Sequence, residues 1–467
     1  MTTASNTTDG LEAAQTQPYP RRWLALGMLG LAQFMLILDV TVVAIALPLM
    51  GADLDMSREA VTWVVSIYTL TFGGLMLLGG RLADLIGPRT LVYTGLTVFT
   101  LASLSAGVAQ DGTMMLGSRV GQGVGAALLS PAALSVVIRL FEGEERNRAL
   151  GIWSALGGAG AAVGVLVGGV LSAGPGWPWV FFVNVPAGVL VFAILLRTLP
   201  ELPPVRSSGE NARPDVLGAL LVTAAAGTLI YAMIEAGETG WLQSGTLSLF
   251  AISVVLYVAF GAWQRVARSP LMDLQLLTRR PVASGTFVIA IATALMVAVF
   301  FLGSFYLQDR ADLGPLATGL LFLPVALATM AGAQLGGRVI GKTGGRSLGV
   351  AGLLIAALGL AVPAVFQTTI GVVVGISVGA AGIGTLFVVA SATALGMIEP
   401  HEAGIASGII STFHEFGASL GAAVVSSVAA ASLTGGTGSG FASAFGVAAA
   451  AAVVSAVVAG LALPGRK

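Results

Sequence analysis

Cysteine is absent from the 467-residue chain, and only two histidines are present. Disulfides, thiolate metal sites and thiol nucleophiles are therefore excluded. With no metal cluster or nucleophile–base pair in the pattern, the chain is expected not to be an enzyme. Charge is scarce as well: 9% of residues are Asp, Glu, Lys or Arg, against about 25% in ordinary soluble domains. Such a chain lacks the polar surface to cover itself in water. Its 22 basic and 22 acidic residues cancel, so the basic footprint of a nucleic-acid binder is missing. Aromatics, at 7%, are sparse beside 13 methionines, which suits an apolar, adaptable cavity better than a sugar-stacking one.

What remains is apolar. Hydrophobic residues make up 56% of the chain, mean hydropathy is +0.93, and 64 glycines fit helices packed closely through small residues. Fourteen runs, from 23–48 to 441–463, reach the roughly 20 mostly apolar residues that cross a bilayer. The first run exceeds the roughly 7–15 residues of a signal-peptide core and is expected to be a retained helix. An even number of spans places both termini on one side. With that side cytoplasmic, nineteen of the 22 basic residues lie in cytoplasmic loops and tails; Arg58 and Arg310 lie outside and Arg119 lies within a span. This satisfies the positive-inside rule, and a missed span would invert every later loop.

An internal repeat supports the same architecture. Gly80 to Arg89 (GRLADLIGPR) follows the second span, and Gly337 to Arg346 (GRVIGKTGGR) follows the tenth, 257 residues later. The same offset relates Gly151, Gly160 and Gly164 to Gly408, Gly417 and Gly421. Two parallel six-helix halves separated by an inserted pair explain this, with a substrate site expected between the halves near the midplane. The expected organisation is a cytoplasmic tail at 1–22, a bundle at 23–199, cytoplasmic loops and the inserted pair at 200–280, a second bundle at 281–463 and a tail at 464–467.

Four segments resemble those of one transporter family. LDVTVVAIALP (Leu38 to Pro48), GGRLADLIGPR (Gly79 to Arg89), SRVGQGVGAALLSP (Ser118 to Pro131) and WPWVFFVNVPAG (Trp177 to Gly188) stand in order at the matching places. They resemble the major facilitator superfamily, in its fourteen-helix drug:proton antiporter branch. The resemblance implies an all-α membrane protein of the major facilitator fold in the inner (plasma) membrane. It also implies a multidrug or antibiotic efflux permease driven by the proton motive force, with no ATP or other cofactor. Its expected partners are a small-molecule substrate, protons and the bilayer, and it is expected to act as a monomer. Three departures stand out: Leu85 where the loop motif often has a basic residue, Val165 where the fifth-helix motif has proline, and Gly341 in place of an acid.

Asp39, Arg119, His414 and Glu415 are ionisable residues well inside spans. A charge at a helix centre costs roughly 2.5–3.5 kcal/mol, and such groups usually mark pathways or proton relays. Asp39 and Arg119 lie at similar depths, so an ion pair is plausible. Gln122 shares the Arg119 face, while Gly117, Gly121 and Gly125 lie nearly opposite and are expected to pack on a neighbour. The resemblance assigns the arginine a part in proton transfer; a structural bridge that never titrates is the alternative. Ser407, Ser411, Glu415 and Ser419 form one stripe at helical spacing, with His414 on another face beside Gly417 and Gly421. Glu415 is a candidate coupling carboxylate or half of a packing pair. Gln122, Ser411, Ser419 and Glu235 are candidate cavity residues, although for Glu235 and Asp309, at span ends, the hydrated reading is the favoured one. By resemblance, Gly80, Asp84, Gly87, Arg89 and Arg139 form the inner gating loop.

Gly336 to Thr343 (GGRVIGKT) matches the phosphate-loop pattern, but it follows an apolar span where the motif needs a strand. ATP binding is not expected. Besides export, an uptake symporter on the same fold remains open, because fold does not fix direction.

Overall fold

The computed structural model describes residues 19–202, 204, 214–272, 274–395, 403–433 and 439–465. They form fourteen long helices: α1 Arg22–Asp53, α2 Arg58–Ile86, α3 Pro88–Gly107, α4 Gly112–Leu140, α5 Gly143–Ala173, α6 Trp179–Thr198, α7 Val216–Thr239, α8 Ser244–Val266, α9 Arg280–Arg310, α10 Pro315–Thr343, α11 Gly345–Val365, α12 Thr369–Leu395, α13 Ala403–Leu433 and α14 Ser439–Ala462. Thirteen of them are long and apolar enough to cross a membrane. The other, α5, is 31 residues long with an apolar stretch at Val163–Ala173. The outer ends of the helices are those predicted to face outside, and the inner ends those predicted to face the cytoplasm.

The helices start and stop where local chemistry directs. Ser57 accepts from the Ala60 amide at 3.2 Å at the start of α2, and Asp111 from the Met114 amide at 2.8 Å at the start of α4. These side chains satisfy amide donors that a helix N-terminus leaves free. Pro48, Pro131 and Pro363 sit inside α1, α4 and α11, as membrane helices tolerate when neighbours re-satisfy the backbone.

The repeat is visible in the backbone. Gly87 (φ +96°) joins α2 to α3 and Gly344 (φ +80°) joins α10 to α11, 257 residues on. At the outer turns, Asp55 (φ +48°) and Asp312 (φ +53°) repeat at the same offset. They are the positive-φ non-glycine residues of the described chain, and aspartate tolerates that region better than most. The α3–α4 crossing has its counterpart in α11–α12. A Cβ on Gly95 would stand 2.7 Å from the Gly125 carbonyl oxygen, and one on Gly352 3.1 Å from that of Gly382. Without a hydrophobic drive between helices in lipid, such close backbone packing holds them together.

The inserted pair does not stand apart. α7 lies along the seam between the halves, packing on both α2 and α13. Gly74 faces Thr223, Gly227 faces Leu70, and Gly237 faces Ser427. At its inner end Asp215 accepts from the Gly218 amide (2.8 Å), Trp263 Nε1 (2.7 Å) and Gln264 Nε2 (2.6 Å), tying α7 to α8.

Candidate functional site

The predicted pairing is present. The Asp39 carboxylate on α1 and the Arg119 guanidinium on α4 form an ion pair, both fully buried. Arg119 Nε donates to the Val64 carbonyl at 2.8 Å and Nη1 also to Gln122 Oε1 at 2.8 Å. Gln122 Nε2 in turn donates to Asp39 Oδ1 and to Ser103 Oγ, both at 2.9 Å. Asn184 Nδ2 approaches the same Asp39 oxygen at 3.4 Å. The Tyr68 ring centroid lies 4.3 Å from Arg119 Cζ and that of Phe181 5.9 Å away. Among the described residues Arg119 Nη2 has no hydrogen-bond partner, so the Tyr68 face supplies much of what remains to the cation. This network occupies the core of the N-terminal bundle. Its two charges are not repeated in the other half, where the positions 257 residues on are Met296 and Ile376.

The glycine face of α4 behaves largely as its spacing predicts. Gly125 packs on Phe99 of α3 and Gly121 on Ala102, while Gly117 meets nothing within 4 Å.

The α13 stripe faces α2 across the seam between halves. A Cβ on Gly73 would stand 2.6 Å from Glu415 Cβ. Glu415 is 9% exposed. Ser419 and Thr69 share a hydrogen bond of 2.6 Å, and Ser419 Oγ donates to the Ser66 carbonyl at 3.1 Å. His414 turns the other way, with Nδ1 3.1 Å from Thr293 Oγ1 and its ring 5.8 Å from that of Phe387. Gly417 and Gly421 share that face, packed on Ala290 and Ala294 of α9.

Further out, Arg58 joins three helices. It donates to the Ser426 carbonyl (3.0 Å) and Oγ (3.1 Å) on α13 and to Glu238 Oε1 (3.0 Å) on α7. Thr62 and Ser426 share a 2.6 Å hydrogen bond. On the opposite side of the seam, a Cβ on Gly169 of α5 would stand 2.8 Å from the Pro315 carbonyl oxygen, and one on Gly319 2.9 Å from that of Val165. The fifth-helix segment that lacks its proline thus makes a cross-half contact. Between them, α9 ends in a π-helical turn, Tyr306–Arg310, from which Gln308 Nε2 donates to the Ile45 carbonyl at 2.9 Å. These contacts join the halves along their outer parts.

The four candidate cavity residues do not converge. Gln122 serves the ion pair and Ser419 the seam. Ser411 lies half-buried on the inner half of α13, and Glu235 lies at the outer end of α7 in electrostatic reach of Glu59. In the loop segment, Gly80 meets Pro131, Asp84 is half-buried in the last turn of α2, and Gly87 supplies the turn. Arg89 lies 3.6 Å from Glu201, and Arg139 closes the last turn of α4.

A family model described as Major Facilitator Superfamily matches residues 29–422. The chain belongs to that superfamily. Among curated superfamily relatives it is similar to the puromycin resistance protein pur8 of Streptomyces alboniger, 37% identical over 90% of this chain and 84% of that one. The cephamycin export protein CmcT of Amycolatopsis lactamdurans is 34% identical over 86% and 84%. The multidrug resistance protein Stp of Mycobacterium tuberculosis is 32% identical over 88% and 76%. Among solved structures, a bacterial homologue of the human lysosomal transporter Spinster, inward-facing and occupied, superposes with a TM-score of 0.71 at 16% identity, covering 96% of this chain and 97% of that one. At that identity the likeness is one of fold. The superfamily assignment and the helices together make this a multi-pass membrane transporter.

Proposed function

We propose that the chain is a proton-coupled antiporter that exports hydrophobic, drug-like or antibiotic molecules by alternating access, as a monomer and without ATP. Relatives named for puromycin resistance, multidrug resistance and cephamycin export support the direction and substrate class. The observation that carries the coupling is the buried Asp39–Arg119 pair. A proton on Asp39 dissolves the ion pair, so the pair is a two-state element whose charge depends on proton access. Outer contacts such as Arg58–Ser426 and Gln308–Ile45 must separate for Asp39 to meet the outside. Glu415, at the seam, is the second candidate coupling group, with His414 behind it. Substrate and proton need only favour different states for their flows to be coupled.

The test is uptake of puromycin and a cationic dye by inside-out vesicles. Uptake is expected under an imposed proton gradient and lost in Asp39→Asn. Uptake sustained by ATP under an uncoupler would overturn the proposal, and accumulation only in right-side-out vesicles would make the protein an importer.

A further inference from the structure

Helix α2 touches both ionisable sites. Its Val64 carbonyl and Tyr68 ring hold Arg119, and one turn further its Gly73 backs onto Glu415. Tyr68 is fully buried, and its hydroxyl donates to the Leu36 carbonyl of α1 at 3.2 Å, three residues before Asp39. The ring is therefore pinned at its hydroxyl end to the helix that carries the aspartate, while its face lies against the arginine. The charged groups within electrostatic reach of the phenol are Asp39 on α1, Arg119 on α4 and Glu415 on α13. A side chain present only to fill space needs neither the cation on its face nor the bond to α1.

We infer that Tyr68 is a positioning residue for transport: it holds Arg119 beside Asp39 and, through α2, links the charge state of that pair to Glu415 at the seam. This rests on the proton-coupled reading above. When Asp39 is ionised it cancels the charge on Arg119. When Asp39 is neutral, the cation stays clasped by Val64 and the ring, and its uncompensated field crosses α2 to Glu415. A proton on one half is then felt by the helix that closes against the other half. Neutral Asp39 also frees α1, still tied to Tyr68 through the Leu36 carbonyl, to shift relative to Arg119 on α4, which adds a mechanical route to the electrostatic one.

The chain has no native cysteine, so paired labels need no background removal. Gln110→Cys and Gln367→Cys place one spin label on the outer turn of each half, at positions related by the repeat. Inter-label distances are measured in purified protein across a pH series without drug. The doubly labelled parent, otherwise unsubstituted, is expected to switch between shorter and longer outer distances with one pH midpoint. Tyr68→Phe, which keeps the ring on Arg119 but loses the bond to Leu36, is expected to move that midpoint less than the aliphatic variants do. Tyr68→Leu is expected to move it by about one pH unit or more, a tenfold change in proton affinity; Tyr68→Met serves if the leucine variant folds poorly. Glu415→Gln should shift the midpoint in the parent and much less in the Tyr68→Leu background. An unmoved midpoint in both aliphatic variants, an equal Glu415→Gln shift in both backgrounds, or no pH response in the parent would each overturn the linkage. A Tyr68-dependent switch in a protein that shows no gradient-driven uptake would leave the linkage standing and remove the exporter reading alone.

Discussion

The Asp39 carboxylate and the Arg119 guanidinium neutralise each other in the middle of the N-terminal bundle, where neither reaches solvent. Losing one partner strands the other charge. Asp39→Ala or Arg119→Ala is therefore expected to destabilise the protein by about 3–5 kcal/mol. Replacing both, as Asp39→Asn with Arg119→Gln, is expected to recover most of the thermal stability and none of the transport. Thermal unfolding of the purified variants, read beside vesicle uptake, separates the two effects. A double variant no more stable than the singles would show that packing, and not charge, sets the cost.

The outer seam should be lockable. Thr62 and Ser426 share a 2.6 Å hydrogen bond, so Thr62→Cys with Ser426→Cys is expected to cross-link on oxidation, stop export and regain it with reductant. An oxidised, cross-linked protein that still exports would show that this seam need not open.

Arg58, on α2, ties that seam to α13 and α7. Arg58→Ala is expected to shift the population towards longer outer distances between labels at positions 110 and 367, and Glu238→Gln to do so less, because Ser426 remains bound. Hydrogen bonds to a charged group contribute about 1.5–3 kcal/mol, enough to move a marginal equilibrium severalfold or more. Unchanged distances in Arg58→Ala would place the latch elsewhere, with Gln308 and Gly169 the next positions to vary.

Glycines at the repeated crossings should divide sharply. A Cβ on Gly95 would stand 2.6 Å from the Leu129 amide nitrogen, whereas Gly117 meets nothing within 4 Å. Gly95→Val is expected to cost about 1–3 kcal/mol or more through overpacking, and Gly117→Ala to be near neutral. Yield and thermal unfolding of the two variants check this; equal behaviour would mean that the crossing can spread to admit a side chain.

How much was legible in the sequence follows from the same chemistry. Charges inside apolar runs are so costly that Asp39 and Arg119 identify themselves, and their depths predict the pair. The repeat showed in Gly80 and Gly337, because turns and close crossings constrain residue type. Neutral polar residues carry no such signal. Asn184 lies within the WPWVFFVNVPAG segment, yet nothing in its spacing points at Asp39; its approach depends on how α6 packs. Gln308 reaches Ile45 only because α9 ends in a π-helical turn, which periodicity does not announce. Asp55 and Asp312 repeat at the same offset, but their shared left-handed backbone appears only in three dimensions. Glu235 shows the converse limit: depth was readable, but its electrostatic reach to Glu59 was not.

The central claim is that Asp39 exchanges its proton against substrate. The most direct measurement is substrate-evoked proton release by purified protein in weakly buffered detergent solution. Addition of puromycin, or of whichever dye the vesicles transport, is expected to release protons from the parent and none from Asp39→Asn at matched substrate occupancy. Substrate binding with no proton release in the parent, or release that persists in Asp39→Asn, would contradict it.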